Sequence, residues 1–176
     1  MGFLDALKKL LPKEEPLPWD AQSVCLPFLT VRLPAGWRFT QATWRSARAL
    51  GPGEQPVEFY FTADTENRPM TPRDAESARP EILRLMGGLV KHDAGLNATP
   101  AQSVLPNGVL WTEANEVKGA ERWFVVYLAN LQPRAAEFKM RMAQICMRTR
   151  VPVSVGALGD ERLETLRGVM RSVEWA

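Results

Sequence analysis

Hydrophobic positions change their spacing several times along this chain, and each change marks an element. Phe3, Leu4, Leu7, Leu10 and Leu11 recur at helical spacing with Asp5, Lys8 and Lys9 elsewhere, so residues 1–12 are expected to form an amphipathic N-terminal helix ended by Pro12. So short a helix does not persist alone in water, where roughly 12–15 residues are marginal, and its apolar stripe must lean on the domain's core, a partner, a second copy or a membrane surface. The three prolines and alternating charge of "PKEEPLPWD" make residues 13–22 a linker.

From Ser23 the period shortens to two. "SVCLPFLTVRLPAGW" reads as an interrupted β segment whose Pro27 calls for an edge strand or a bulge, with "PAG" as a turn and Trp37 and Phe39 leading out of it. "SARALGPGEQP" reads as a loop, "VEFYFTA" (Val57–Ala63) as a strand, and "TENRPMTPRD" as a loop. Ala78, Ile82, Leu85, Met86 and Leu89 then predict an amphipathic helix from about Pro80 to His92, with Pro80 in its first turn and Gly95 as its stop. Asp74 to Arg79 is either a separate turn or a kinked extension.

Three strand-like runs follow. "GVLWTEANEV" meets "RWFVVYLANL" across the hairpin loop "KGAE", and "RAAEFKMRMAQICMRTRVPVSV" comes after a turn at "QPR". "GDERLETLRGVMRSVEW" is expected to start a helix with Asp160 as N-cap, to bury Leu163, Leu166, Val169 and Met170, and to end in a strand-like "SVEW". The order predicts an α+β fold: an antiparallel β-sheet flanked by helices, an α/β/α sandwich, with residues 23–176 as one domain.

"FKMRMAQICMRTRV" poses a question. Lys139 and Arg141 stand on odd positions, whereas Arg148 and Arg150 stand on even ones, so the strand changes parity halfway. Either a one-residue bulge rotates it, or its middle is covered on both faces. Both readings leave the cations on solvated sheet surface rather than in an anion site.

Bulk numbers narrow the function classes. With 22 Lys and Arg against 20 Asp and Glu, the net charge of +2 disfavours a dedicated nucleic-acid binder. No run approaches the ~20 apolar residues of a membrane span, and the start lacks a secretory signal pattern, so a cytoplasmic protein is expected. Cys25 and Cys146 sit in strand-like surroundings without a CxxC or Cys/His cluster, and read as buried free thiols.

No catalytic signature emerges, and neither cofactor nor metal is called for. "GPGEQP" lacks phosphate-loop spacing, no GxSxG accompanies the single histidine, and His92 is expected to be an exposed helix-terminal residue. "DTEN" lacks the rest of a calcium loop. Trp37, Trp111 and Trp123 are expected in the core, whereas Trp19, Trp44 and Trp175 cover core edges or mark a contact surface.

One stretch brings a resemblance. "FLTVRLPAGW", an apolar strand running into Leu-Pro-x-Gly-Trp, resembles the opening of the PsbP-like fold, a superfamily with the photosystem II extrinsic subunit, a small Ran-binding nuclear import factor and bacterial domains of unknown function. "VLWTEANEVKGAERWFVVYL" and "LETLRGVMRSVEW" are also similar to that layout, so the resemblance covers about Ser23 to Trp175. It implies an antiparallel sheet sandwiched by helices in non-enzymatic binding proteins, some bacterial cytoplasmic members resembling chaperones that shield hydrophobic segments of type VI secretion effectors. No family site residue matches here, and "GFLDALKKLL" departs from the pattern. The expectation is a non-catalytic, bacterial, protein-binding or chaperone-like module whose partner, another protein or a second copy, meets Phe3, Leu4, Leu7 and Leu11. A binder of a small amphipathic or lipid-like ligand, with a cavity lined by Met86, Met140 or Met142, is the alternative.

Overall fold

Alternation at a period of two organises most of the chain into strands. The computed structural model describes residues 19–69, 72–134 and 139–176, leaving out the side chains of 64–69, 72, 74–75, 132–134, 139–141 and 158. Phe3, Leu4, Leu7 and Leu11 lie outside the described residues, as does the whole of 1–12. The fold is α+β, with ten strands in two antiparallel sheets and two α-helices among the described residues.

The smaller sheet has the order β1-β2-β10, from Ser23–Leu26, Leu29–Arg32 and Glu174–Trp175. Pro27 makes neither an edge strand nor a bulge: with Phe28 it forms the tight turn between β1 and β2, where its missing N–H is not needed. The larger sheet has the order β3-β4-β5-β9-β8-β7-β6. These strands are Arg38–Ala42, Ser46–Leu50, Pro56–Pro69, Ala101–Val104, Leu110–Lys118, Glu121–Arg134 and Lys139–Pro152, in chain order β3 to β9.

Several sequence expectations are corrected here. Ser46–Leu50 is a strand rather than loop, β5 runs on through the expected loop to Pro69, and β8 runs through "QPR" to Arg134. Long antiparallel pairing with β9 draws these polar residues into the ladder. β6, for which the pattern carries no signal, borders β7, and the hairpin loop shrinks to Gly119–Ala120.

The basic strand resolves in favour of cover on both faces. β8 and β9 pair without a shift from Glu121↔Pro152 to Arg134↔Lys139, so no bulge separates Met142 from Ile145. Ala143, Ile145, Met147 and Val151 are buried on one face, and Cys146 is buried on the other. The unbroken register puts positions 139 and 141 on the parity of Ile145, opposite that of Arg148 and Arg150.

Helix α1 spans Pro72–Ala94 and lies on one face of the large sheet. It starts earlier than its periodicity suggests, so Pro80 stands inside the helix, where it withholds one backbone hydrogen bond, and not in the first turn. Its buried side is also rotated from the expected stripe: Met86, Val90 and Ala94 are covered, whereas Leu85 and Leu89 are exposed. Helix α2, Ala157–Arg171, lies on the opposite face with the three-stranded sheet. Gly156 rather than Asp160 is its N-cap; Asp160 stands in the first turn and pairs with Arg122. Leu163, Leu166, Val169 and Met170 are buried as expected, and β10 closes the small sheet against β2.

The main core fills the space between the inner face of the large sheet and α2 with the small sheet, around Phe59, Phe124, Leu128, Ile145 and Leu166. A half-buried ion pair ties α2 to β7, Arg167 meeting Glu113 at 2.9 Å. Its guanidinium also lies over the Phe124 ring, 4.9 Å from the centroid.

Candidate functional site

What marks this molecule is a sheet face that its own helix covers only in part. On the outer face, α1 packs across β7 and β8 and reaches Cys146 on β9: Val90 and Ala94 meet Ala114, Val125 and Cys146, while Met86 meets Leu110 and Ala129. Gln102 on β6 donates to the Leu83 carbonyl and to Thr112, fixing the flank of the helix nearest β6. Apart from Cys146, the outer positions of β9, β5 and β4 have no such cover among the described residues. Glu58, Tyr60, Thr62 and Arg48 are exposed, and Met142, Gln144, Ser46 and Leu50 are half-buried. Their inner-facing neighbours Val57, Phe59, Phe61, Ala47 and Ala49 are all buried.

The flank of α1 facing this open half is fixed by Asp93. Its carboxylate accepts from the Tyr127 hydroxyl on β8 at 2.8 Å and lies 3.9 Å from Arg148 on β9. Leu89 and Leu85 stand one and two turns earlier, turned progressively toward solvent, and make that flank of the helix an exposed apolar edge. They are 43% and 52% exposed.

Where α1 ends, the open half deepens into a groove of about 540 Å³, lined by Glu58, Glu121, Trp123, Arg148 and Arg150 among others. Arg148 lies over the Tyr60 ring at 4.4 Å, and Lys118 and Arg150 lie over Trp123 at 4.2 and 4.7 Å. Each arginine also has a carboxylate, Arg148 with Glu58 at 3.1 Å and Arg150 with Glu121 at 3.8 Å. An anion seated here would have to displace these partners, so the groove suits a ligand of mixed character better than a polyanion. Trp123, expected in the core, instead forms a half-buried part of this groove, whereas Trp37 and Trp111 are buried, Trp19 and Trp44 exposed, and Trp175 packs on the core edge.

Cys146, Tyr127, Asp93 and His92 form a chain of contacts from beneath α1 to the surface. Burial pushes the Cys146 thiol up to about 12, and burial, helped by Cys146 and Asp93, raises the Tyr127 phenol well above its usual range. Both groups are held neutral, the reverse of what an activated nucleophile needs. His92 is exposed at the helix end and bonds Asp93 at 3.0 Å. Cys25, expected to be buried, is exposed on β1. In the folded protein one thiol, Cys25, is therefore expected to react quickly with an aromatic disulfide reagent at pH 8, and Cys146 only on unfolding; two fast thiols would contradict the packing described.

Among the described residues no group of three or more His, Cys, Asp and Glu side chains is gathered to hold a metal ion. No described helix is long and apolar enough to cross a membrane. Met86 is packed against Leu110 and Ala129, and Met142 is half-buried at the open face.

No protein-family model and no curated protein sequence matches this chain. Its backbone is similar to the crystal structure of LpqN, which is involved in cell envelope biogenesis of Mycobacterium tuberculosis, with a TM-score of 0.55 and 10% identity over 100% of this chain and 98% of that one. At that identity the likeness establishes a shared α+β fold.

Proposed function

We propose that this chain is a non-catalytic binding module, chaperone-like and bacterial cytoplasmic in setting, that takes a segment of a protein partner on the open half of its large sheet. One observation carries the reading. Among the described residues a helix covers β7, β8 and Cys146 of β9, leaving Leu85 and Leu89 exposed and the outer positions of β5 and β4 bare. An apolar wall next to a floor of Tyr60, Thr62 and paired charges is what an amphipathic helix or extended segment buries on docking.

The PsbP-like reading belongs to this proposal. It is supported by the shared layout of an antiparallel sheet between helices closed by a short terminal strand. A secretion-associated role is compatible with the envelope connection of LpqN, whose fold is similar. The lipid-like ligand has weaker support, because Met86 fills core and the groove mixes apolar atoms with ion pairs.

The test places a photo-crosslinking residue at Leu85 and, as a control on another surface, at exposed Val153. The expected result is a discrete partner captured at Leu85 alone, with capture falling about tenfold in Leu85→Glu/Leu89→Glu while the melting temperature holds. Equal capture at both positions, or an undiminished yield from the double variant, would sink the reading.

A further inference from the structure

Two arginines on the bare half-sheet have no carboxylate to answer them. Arg48 on β4 and Arg38 on β3 are exposed, while Ala47, Ala49 and Phe39 beside them are buried on the inner face, so both cations stand on the outer one. Glu58 lies opposite Arg48 in the ladder, but its carboxylate is already held by Arg148 at 3.1 Å and by the Tyr60 hydroxyl at 3.0 Å. Arg38 lies opposite Leu50. Neither guanidinium has an ion pair or hydrogen bond among the described residues. Their combined charge matches the net +2 of the whole chain, so this half-sheet is strongly biased although the molecule is nearly neutral.

The edge of the half-sheet is closed to an added strand. β3 shifts register between Phe39 and Gln41, and the Phe39 N–H is taken by the Ala21 carbonyl at 2.9 Å. An occupant therefore lies on the face, where an extended chain would bury backbone groups without partners and a helix satisfies its own.

The dimensions suit one helix. From β3 to β9 there are three strand spacings, about 14 Å, and a helix with its side chains is about 10–12 Å wide. Its apolar side would meet Leu89, Leu85 and the Tyr60 ring, and its flank away from α1 would lie over Arg48 and Arg38. A lipid surface fits less well: it meets protruding groups first, and α1 stands about 10 Å above the sheet that carries the arginines.

Resting on the proposed docking surface, we infer that the segment it takes is an amphipathic helix with an acidic flank, whose Asp or Glu side chains pair with Arg48 and Arg38. The apolar stripe of that helix covers Leu85, Leu89 and Tyr60 and supplies most of the affinity. The arginines set its orientation and reject basic helices.

The test titrates the full chain with two synthetic helical peptides of about 18 residues that share one leucine stripe and differ only in Glu or Lys along one flank. The Leu85 and Leu89 methyl signals and the Thr62 amide report occupancy. The Glu peptide is expected to bind about tenfold more tightly, with the difference shrinking as salt rises, and Arg38→Glu/Arg48→Glu to reverse the preference. Reversal is a gain of binding, which a misfolded variant cannot show. Equal affinity for the two peptides, lost for both in Leu85→Glu/Leu89→Glu, would overturn the inference and leave the docking surface standing. No shift at any of the three positions with either peptide would overturn both. Cosedimentation of the unaltered chain, but not of Arg38→Glu/Arg48→Glu, with phosphatidylglycerol vesicles and no preference between the peptides would assign the arginines to a membrane and overturn the inference too.

Discussion

Replacing Phe59 by alanine is expected to destabilise the fold by about 3–5 kcal/mol, a large part of the 5–15 kcal/mol typical of a domain. Phe59 is 0% exposed on β5, between Ala47 on β4 and Met147 on β9. The Phe39 ring meets it edge-on at 5.8 Å between centroids. Its neighbours on β4 are Ala47 and Ala49, too short to fill the space a truncated ring would leave. Collapse around the vacancy is therefore limited, which places the loss toward the upper end. Urea unfolding followed by tryptophan emission should show a lower midpoint with an unchanged slope. A loss below about 1 kcal/mol would mean that the ring is not enclosed as described.

Gly95→Ala is expected to destabilise by about 3 kcal/mol, for two separable reasons. Gly95 ends α1 at φ +149°, a conformation that side chains rarely adopt. A Cβ there would also stand 1.5 Å from Glu116 Oε2 and 2.9 Å from Lys118 Cε. Glu116 Oε2 is buried with no hydrogen-bond partner among the described residues, and as the end of a flexible side chain it can swing aside, so the backbone carries most of the cost. Pairing Gly95→Ala with Glu116→Ala removes the collision but not the backbone strain, so only a minor part of the lost stability should return. Thermal melts of the four proteins in that cycle measure the division. Full recovery would show that contact alone matters, and no recovery that the backbone does.

Legibility of the fold differed from element to element for physical reasons. The stripe on α2 was readable because Leu163, Leu166, Val169 and Met170 are both its largest side chains and its contact side. On α1 those two properties separate: close packing runs past Gly87 and through Val90 and Ala94, and the larger Leu85 and Leu89 are left outside. Ser46–Leu50 passed for loop because its core positions are Ala47 and Ala49, whose alternation carries little hydrophobic weight. The far end of β5 was hidden by polar residues that only long-range pairing with β9 holds in a strand.

The open half-sheet was not readable at all. Glu58, Tyr60 and Thr62 alternate with Val57, Phe59 and Phe61 in the same way whether water or another chain lies above them. Which strands stay bare depends on where α1 settles, and that is decided by contacts such as Asp93 with Tyr127 and Gln102 with Leu83. The basic strand left two readings open for a related reason: its parity change records two burial environments along one straight ladder, with helix over Cys146 and open groove beside Arg148 and Arg150.

The pairing of β10 with β2 has a kinetic meaning. Glu174 lies opposite Thr30, and its carboxylate holds Arg32, 142 residues earlier in the chain. Closing so long a loop is slow compared with zipping β8 to β9 across a short one. Until that closure, β1 and β2 are a hairpin of two four-residue strands, too small to persist by itself. The small sheet is thus expected to assemble last and to open first, with amides of β1 and β2 exchanging faster than those of β8 and β9.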